Sequence, residues 1–426
     1  MEKILLKLLL FLYFFIMIYK PEFVFIPQSD NTFFGLIGLC VYIFNKTLRN
    51  QIIIYSRGYP FPLFKAYIPV LLVALLSISI NMTTEILYVK YFISIVFSYF
   101  MVYLGMIGFY KIYKEVTPQI IIKYLIFASL IHVIISLLMF VVPTINDLLN
   151  SLVKLNEDEI DKLESTFGAR LQGFGALFYT SGLINGFVLI MIAISLYLYK
   201  TSITQKVLYL LSFAVIFIIG IMIARTIMIG GAFAFMILVV SLFKNPRHIA
   251  RNLITLGIAS FLFVILLVKV VETSNADFAL LSDFGFEIFK VLFEGGGSTH
   301  STDSMLNMYK ILPESEKTWL IGDALWIQNG LYYKEVDIGY LRNIFYFGII
   351  GSAFLYLYNY RCLSIIISKR YVFGSISKKI TILLFLYVLI LNFKGTIDLY
   401  TYILPFYFCT IYPNKKKKIL NSQTHN

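Results

Sequence analysis

Three arginines, Arg170, Arg225 and Arg342, stand where polar stretches give way to long apolar runs. A charge at such a boundary is costly unless it is partnered. The guanidinium is planar and presents five donors in a fork that matches phosphate oxygens in pairs, whereas lysine is a point charge on a flexible stem. Three guanidinium groups at one interface therefore read as a candidate site for an anionic ligand of lipid-facing origin, and a lipid-linked diphosphate has that chemistry. Arg225 is the sharpest case, because Ala224–Arg225–Thr226 is the whole connection between two apolar runs. The competing reading of each arginine alone is a side chain that snorkels to headgroups or pairs with a loop carboxylate.

Other reactive side chains are more weakly placed. His300 lies in Ser298–Thr299–His300–Ser301–Thr302–Asp303 and has the chemistry of a general base, although a single loop histidine is usually solvated. His132 falls within an apolar run, where an interhelical hydrogen bond is the expected role. Gly295–Gly297 lacks the Lys-Ser/Thr of a phosphate loop and reads as a hinge. Glu157–Asp158–Glu159 reads as the solvated face of a helix rather than a metal cluster. Cys40, Cys362 and Cys409 sit in or beside apolar runs, so they supply neither an outer disulfide framework nor a metal site of the usual spacing.

The elements that must position these groups are membrane spans. With 59% hydrophobic and 14% charged residues and a mean hydropathy of +0.82, the chain has no polar surface of the size a soluble domain needs. Runs near the roughly 17 to 25 residues that cross about 30 Å of hydrocarbon begin with Ile4–Tyr19, Phe33–Phe44, Ala66–Met82, Tyr91–Tyr110 and Tyr124–Val142. They continue with Ala176–Tyr199, Val207–Ala224, Thr226–Phe243, Leu253–Val270, Leu341–Tyr358, Ile380–Leu391 and Leu399–Tyr412. The expected fold is thus all-α: one polytopic bundle over residues 1–426, of about 12 spans, with both termini cytoplasmic.

Charge orients that bundle. Lysines and arginines such as Lys46, Arg49, Lys111, Lys114, Arg361 and Lys415–Lys418 collect in every inner turn, as the positive-inside rule requires. Of the 23 acidic residues only Glu2 and Glu115 stay inside. The net charge of +13 is accordingly an orientation signal and not a nucleic-acid footprint. Two large outer loops follow, at 143–175 and 271–340. The first has an apolar spacing at Leu148, Leu152 and Leu155 that predicts a short amphipathic helix, and Ser298–Leu312 predicts another in the second. The first run reads as a retained anchor, because Pro21–Glu22 follows it without a small-residue cleavage site.

Several ordered motifs then carry a family likeness: Arg170 leading to Gly186, Ala224–Arg225–Thr226, Trp319–Leu320–Ile321–Gly322–Asp323, Asp337–Ile338–Gly339–Tyr340–Leu341–Arg342, and Phe347–Gly348–Ile349–Ile350–Gly351. Their order resembles the O-antigen polymerases of the Wzy type, which join oligosaccharide repeat units, over about Leu171 to Gly351. The resemblance implies a glycosyltransferase of the bacterial inner membrane with its site facing the periplasm. It implies undecaprenyl-diphosphate-linked oligosaccharides as substrates, and a chain-length regulator and a flippase as membrane partners. On this reading Arg170, Arg225 and Arg342 hold the leaving diphosphate, with Arg225 also stabilising its developing charge. Asp337 takes the acceptor proton with His300 or Asp303 in reserve, and Tyr340, Trp319 and Trp326 stack on sugars. No cofactor and no metal is called for if guanidinium groups neutralise the diphosphate.

Two other functions fit the same layout. The O-antigen ligases use the same donor class but carry a histidine near the close of the second outer loop, where this chain has Asp337. A flippase for lipid-linked oligosaccharides would place polar groups deep in several spans. Here the charges within runs, such as Lys7 and Lys123, lie near the inner ends.

Overall fold

The structure is a computed structural model describing residues 2–26, 29–155, 170–199, 202–244, 287, 300–328, 330–368 and 372–411. It is a helical, membrane-embedded bundle. Seven helices are long and apolar enough to cross a membrane. Five are α4 (Phe61–Asn81), α5 (Leu87–Ile112), α6 (Pro118–Val141), α8 (Phe178–Leu198) and α9 (Ile203–Ile223). The other two are α13 (Gly339–Leu363), continued by a π-turn to Ser368, and α14 (Ser377–Leu391). Around them lie α1 (Glu2–Tyr19), α2 (Asp30–Phe44), α3 (Lys46–Ser56), α7 (Pro143–Leu152), α10 (Ile227–Lys244), α11 (His300–Met308), α12 (Glu316–Leu320) and α15 (Tyr400–Tyr407). The expected span Leu253–Val270, the Glu157–Glu159 cluster, the Gly295–Gly297 hinge and the Lys415–Lys418 run lie outside the described residues.

The centre of the bundle is α8, whose residues from Ser181 to Ser195 are all buried. A helix apolar all round has no solvent face to present and must sit inside. It is pinned from two sides. Asn185 Oδ1 accepts hydrogen bonds from Tyr19 of α1 at 2.8 Å and Ser129 of α6 at 2.7 Å. On the other side Gly230 of α10 packs so closely on Gly186 that a side chain at Gly230 would run into the Gly186 backbone, while one at Gly186 would meet the Tyr387 hydroxyl. Small residues at a crossing and a satisfied amide in the interior are the two devices that hold helices together where no water drives them.

Backbone pairings define the two ends of the bundle. At one, Ile411 N–H donates to the Tyr55 carbonyl and Thr410 N–H to that of Val116. At the other, Leu171 N–H donates to Met222 and Val24 N–H to Leu152, and this end carries the three arginines. The predicted amphipathic helix of the first loop is α7, which stops at Leu152 and leaves Leu155 beyond it. In the second loop the described helix is α11, which ends at Met308, short of the predicted Leu312.

Two departures from uninterrupted spans matter for the site. The expected span Leu341–Tyr358 is broken: Phe347 and Gly348 leave helical geometry, and Gly348 takes φ +69°, ψ −173°, a conformation open essentially to glycine alone. The break is filled by the turn after α12. Asp323 N–H donates to the Phe345 carbonyl at 2.7 Å and Ala324 N–H to that of Tyr346 at 2.9 Å, while Ser77 Oγ adds a bond to Tyr346. A Cβ on Gly348 would drive into the Leu320 carbonyl, and one on Gly322 into the Tyr346–Phe347 peptide. The Trp319–Asp323 and Phe347–Gly351 motifs are thus two halves of one joint. Asp323 is spent within it, accepting from Thr318 Oγ1 at 2.8 Å and Tyr333 OH at 3.1 Å.

The second departure follows α14. Lys394 and Gly395 N–H groups bond back to the Leu391 carbonyl, and the chain then runs without helix from Thr396 to Leu399 before α15 starts. The eight residues of α15 cover only about 12 Å, and the residues beyond it reach the far end of the bundle. The non-helical segment therefore descends into the bundle, a placement tolerated at membrane depth only where backbone is buried in protein or lines a cavity.

Candidate functional site

The site is assembled from four chain connections that meet at one end of the bundle. Arg170 precedes Leu171, whose N–H bond to Met222 ties this segment to the end of α9. Arg225 occupies the turn that follows, held by Ile227 N–H to Ala224 and Met228 N–H to Arg225. One hydrogen-bonded ladder thus brings side chains 55 positions apart in sequence into each other's field. The guanidinium of Arg170 lies 3.6 Å over the ring of Phe178, the first residue of α8. The next residue, Tyr179, donates its hydroxyl to the carbonyls of Leu391 at 2.9 Å and Gly395 at 3.3 Å. Adjacent aromatics at the start of α8 therefore orient an arginine and clamp the turn that carries Lys394.

Lys394 joins the cluster. The residue is exposed, although the surrounding protein still crowds its ammonium enough to disfavour the charge. Burial lowers its pKa first, Arg225 and Arg170 lower it further, and Asp337 opposes them. Burial together with Arg225 pushes the Arg170 guanidinium down to about 10. Like charges that depress one another are destabilising in the empty protein, and a site that keeps them together is prepared for an anion. Arg225 is partly neutralised by an ion pair with Glu287, its side chain 13% exposed and that of the carboxylate 35%.

Arg342 is engaged differently. Its guanidinium is sandwiched between Trp326 at 3.8 Å and Tyr332 at 3.6 Å, and it pairs with Asp337 at 3.1 Å. Tyr332 belongs to a two-residue antiparallel pair, β1 (Ile327–Gln328) with β2 (Leu331–Tyr332), that the all-helical expectation did not include. Only 8% of the Arg342 side chain is exposed, against 55% for Asp337. The sandwich fastens this hairpin to the start of α13 and leaves Asp337 facing the region of Lys394.

The remaining expected site residues are dispersed. Tyr340 is half-buried, donates its hydroxyl to the Leu389 carbonyl at 2.8 Å and packs on Phe393 at 5.0 Å between ring centres. Trp319 sits half-exposed on α12, and among the described residues no ring, ion-pair or hydrogen-bond contact joins its side chain to the arginines. Asp303 is exposed in the first turn of α11, which His300 opens; the His300 side chain lies outside the described structure. His132 is fully buried and stacks on Tyr19 with ring centres 4.0 Å apart. Among the described residues no group of three or more His, Cys, Asp or Glu is placed to hold a metal ion.

Sequence reasoning passed over Lys394 and Glu287. A filter for arginines alone discards Lys394, although Phe393–Lys394–Gly395 between two apolar runs carries the same boundary signal as Arg225. Nothing in the spacing pairs Glu287 with Arg225. Comparison with known protein families, with characterised proteins and with solved structures finds no match.

Proposed function

We propose that this chain is a glycosyltransferase that polymerises lipid-linked oligosaccharide repeat units, moving the growing glycan from its polyprenyl diphosphate to the next lipid-linked unit. The observation that carries the reading is the convergence of Arg170, Arg225 and Lys394 from three separate connections at one end of a membrane bundle. A diphosphate arriving from the bilayer would meet that cluster at headgroup depth. In this proposal the bundle spans about twelve times with both termini in the cytoplasm, and the cluster faces the periplasm.

The transfer needs few groups. An acceptor hydroxyl oxygen attacks the anomeric carbon, the bond from that carbon to the diphosphate oxygen breaks, and the diphosphate leaves with the electron pair. Arg170, Arg225 and Lys394 offset the charge that develops there, which fixed donors do most effectively where water is excluded. Asp337 accepts the proton of the acceptor hydroxyl. Arg342, held by two rings, orients Asp337 and the hairpin beside it.

The test is the surface polysaccharide of cells carrying Arg170→Ala or Arg225→Ala in place of the native chain, resolved by gel. Collapse to a single repeat unit on the final acceptor is expected. A native ladder from both variants would sink the reading, and complete loss with long lipid-linked polymer accumulating would point to a ligase. The interrupted α13 and the non-helical descent after α14 favour a second reading, a lipid-linked oligosaccharide flippase, since transporters place broken helices at their sites. Donor trapped on the cytoplasmic side would support it.

A further inference from the structure

Beside the cationic cluster lies a cavity of about 360 Å³, walled by the first turns of α5, both halves of the broken α13 and the non-helical segment after α14. Its polar lining is partly accessible, with Lys90 exposed in the first turn of α5, and polar side chains among membrane helices commonly serve a ligand. It includes Lys90, Asn359, Thr396 and Asp398. Asp398 accepts from the Tyr400 N–H at 2.8 Å. Among the described residues the side chains of Lys90, Asn359 and Thr396 make no hydrogen bond within the protein, so their donors and acceptors are available to a ligand. Tyr88 and Trp326 also line it. The same Trp326 ring stacks on Arg342, so the cavity and the Asp337 end of the site share a wall.

Size and chemistry together narrow the ligand. The volume lies within the range of about 300–1,000 Å³ typical of small-molecule sites and is far larger than a bare ion needs. One ammonium and one carboxylate give the lining no net sign, which disfavours a charged ligand. Donors and acceptors alternate, and each hydroxyl of a sugar is both. Trp326 in the wall offers aromatic surface against which the C–H face of a pyranose ring can pack. We infer that this cavity binds one or two uncharged sugar residues of the acceptor glycan, with Asn359, Thr396 and Asp398 reading their hydroxyls and Trp326 packing on a ring. The inference rests on the proposed transfer reaction and adds to it the place where specificity for the acceptor resides.

The experiment measures binding to the purified full chain in detergent by calorimetry. The probes are one repeat unit released from the cell's own surface polysaccharide and, separately, inorganic diphosphate. Asn359→Leu and Thr396→Val should each weaken oligosaccharide binding about fivefold to tenfold, the loss of one or two neutral hydrogen bonds. Diphosphate binding should stay at the native level, which also shows each variant to be folded. Equal oligosaccharide affinity in native and variant chains would overturn the inference. So would stabilisation by sodium chloride alone that Asp398→Asn abolishes, since that is a cation site. Diphosphate binding without oligosaccharide binding would remove the sugar cavity and leave the anion site standing, whereas failure to bind either probe would remove both.

Discussion

On the proposed function, a diphosphate reaching Arg225 meets the carboxylate of Glu287, so Glu287→Gln should tighten diphosphate binding. Its ion pair with Arg225 is neither buried nor fully exposed, the two side chains being 13% and 35% accessible. A pair in that setting is worth about 1 kcal/mol. Loosening it subtracts that amount from the affinity, and repulsion between Glu287 and the ligand subtracts a similar amount. Removing the charge should therefore return about 1–2 kcal/mol, or roughly a fivefold to thirtyfold gain in affinity. The assay is titration of inorganic diphosphate into the purified chain at 0.15 M salt, repeated at 0.5 M, where screening should shrink the gain. The control is a double-mutant cycle: in an Arg225→Gln background the part of the gain due to the pair has no source, so the effect of Glu287→Gln should fall by about half. Weaker binding in Glu287→Gln, or the same gain with and without Arg225, would refute the idea that Arg225 is a ligand for the anion.

Three further outcomes follow from the geometry. Arg342→Lys loses stacking on two rings, about 1–2 kcal/mol, so protease cleavage between 323 and 338 should speed up about tenfold while diphosphate affinity changes less than twofold; the reverse pattern would put Arg342 on the ligand. Gly348→Ala forces a side chain into a backbone region costing of order 1–3 kcal/mol and into the Leu320 carbonyl, and a thermal unfolding midpoint equal to the native one would show that the α12 joint does not depend on it. Lys394 and Arg170 both have lowered pKa values, that of Arg170 about 10, so they bind anions fully below those values and lose their charge sooner than usual as pH rises. Diphosphate affinity relative to Lys394→Met, a ratio that cancels the ligand's own titration, should therefore decline with rising alkaline pH; a flat ratio would place Lys394 off the site. The stability of the unliganded protein runs the other way, rising as pH passes the lowered values, because the folded chain then holds fewer protons than the unfolded one.

Helices were legible in the sequence wherever apolar length alone decides them, as in Tyr124–Val142 against the observed α6. Their interruptions were not, because hydropathy is blind to backbone torsion: Phe347–Gly348 reads as apolar and small, and only the docking of Gly322 shows why the helix must break there. Leu399–Tyr412 looked like a further span, yet the helix is Tyr400–Tyr407, because the chain turns at 392–395 and then runs non-helically from Thr396 to Leu399 before the helix starts. For the site, the boundary rule singled out Arg170 and Arg225 and left their proximity open; the Leu171–Met222 bond supplies it. The rule grouped Arg342 with them but could not show its setting, between the rings of Trp326 and Tyr332. Lys394 was lost to a preference for guanidinium that holds for bidentate recognition but not for bulk charge.

The joint between Gly322 and Gly348 has a bearing on how such a chain can diversify. It fixes one end of the hairpin segment to backbone atoms, through bonds that ask only for glycine at the contact and for peptide groups behind it, while Arg342 fixes the other end. Between those fastenings Ile327, Gln328, Leu331 and Glu335 are exposed, so their side chains can be exchanged while Trp326 and Tyr332, which hold Arg342, keep the frame. Sequence change can therefore accumulate at those few positions while both ends of the hairpin stay fixed.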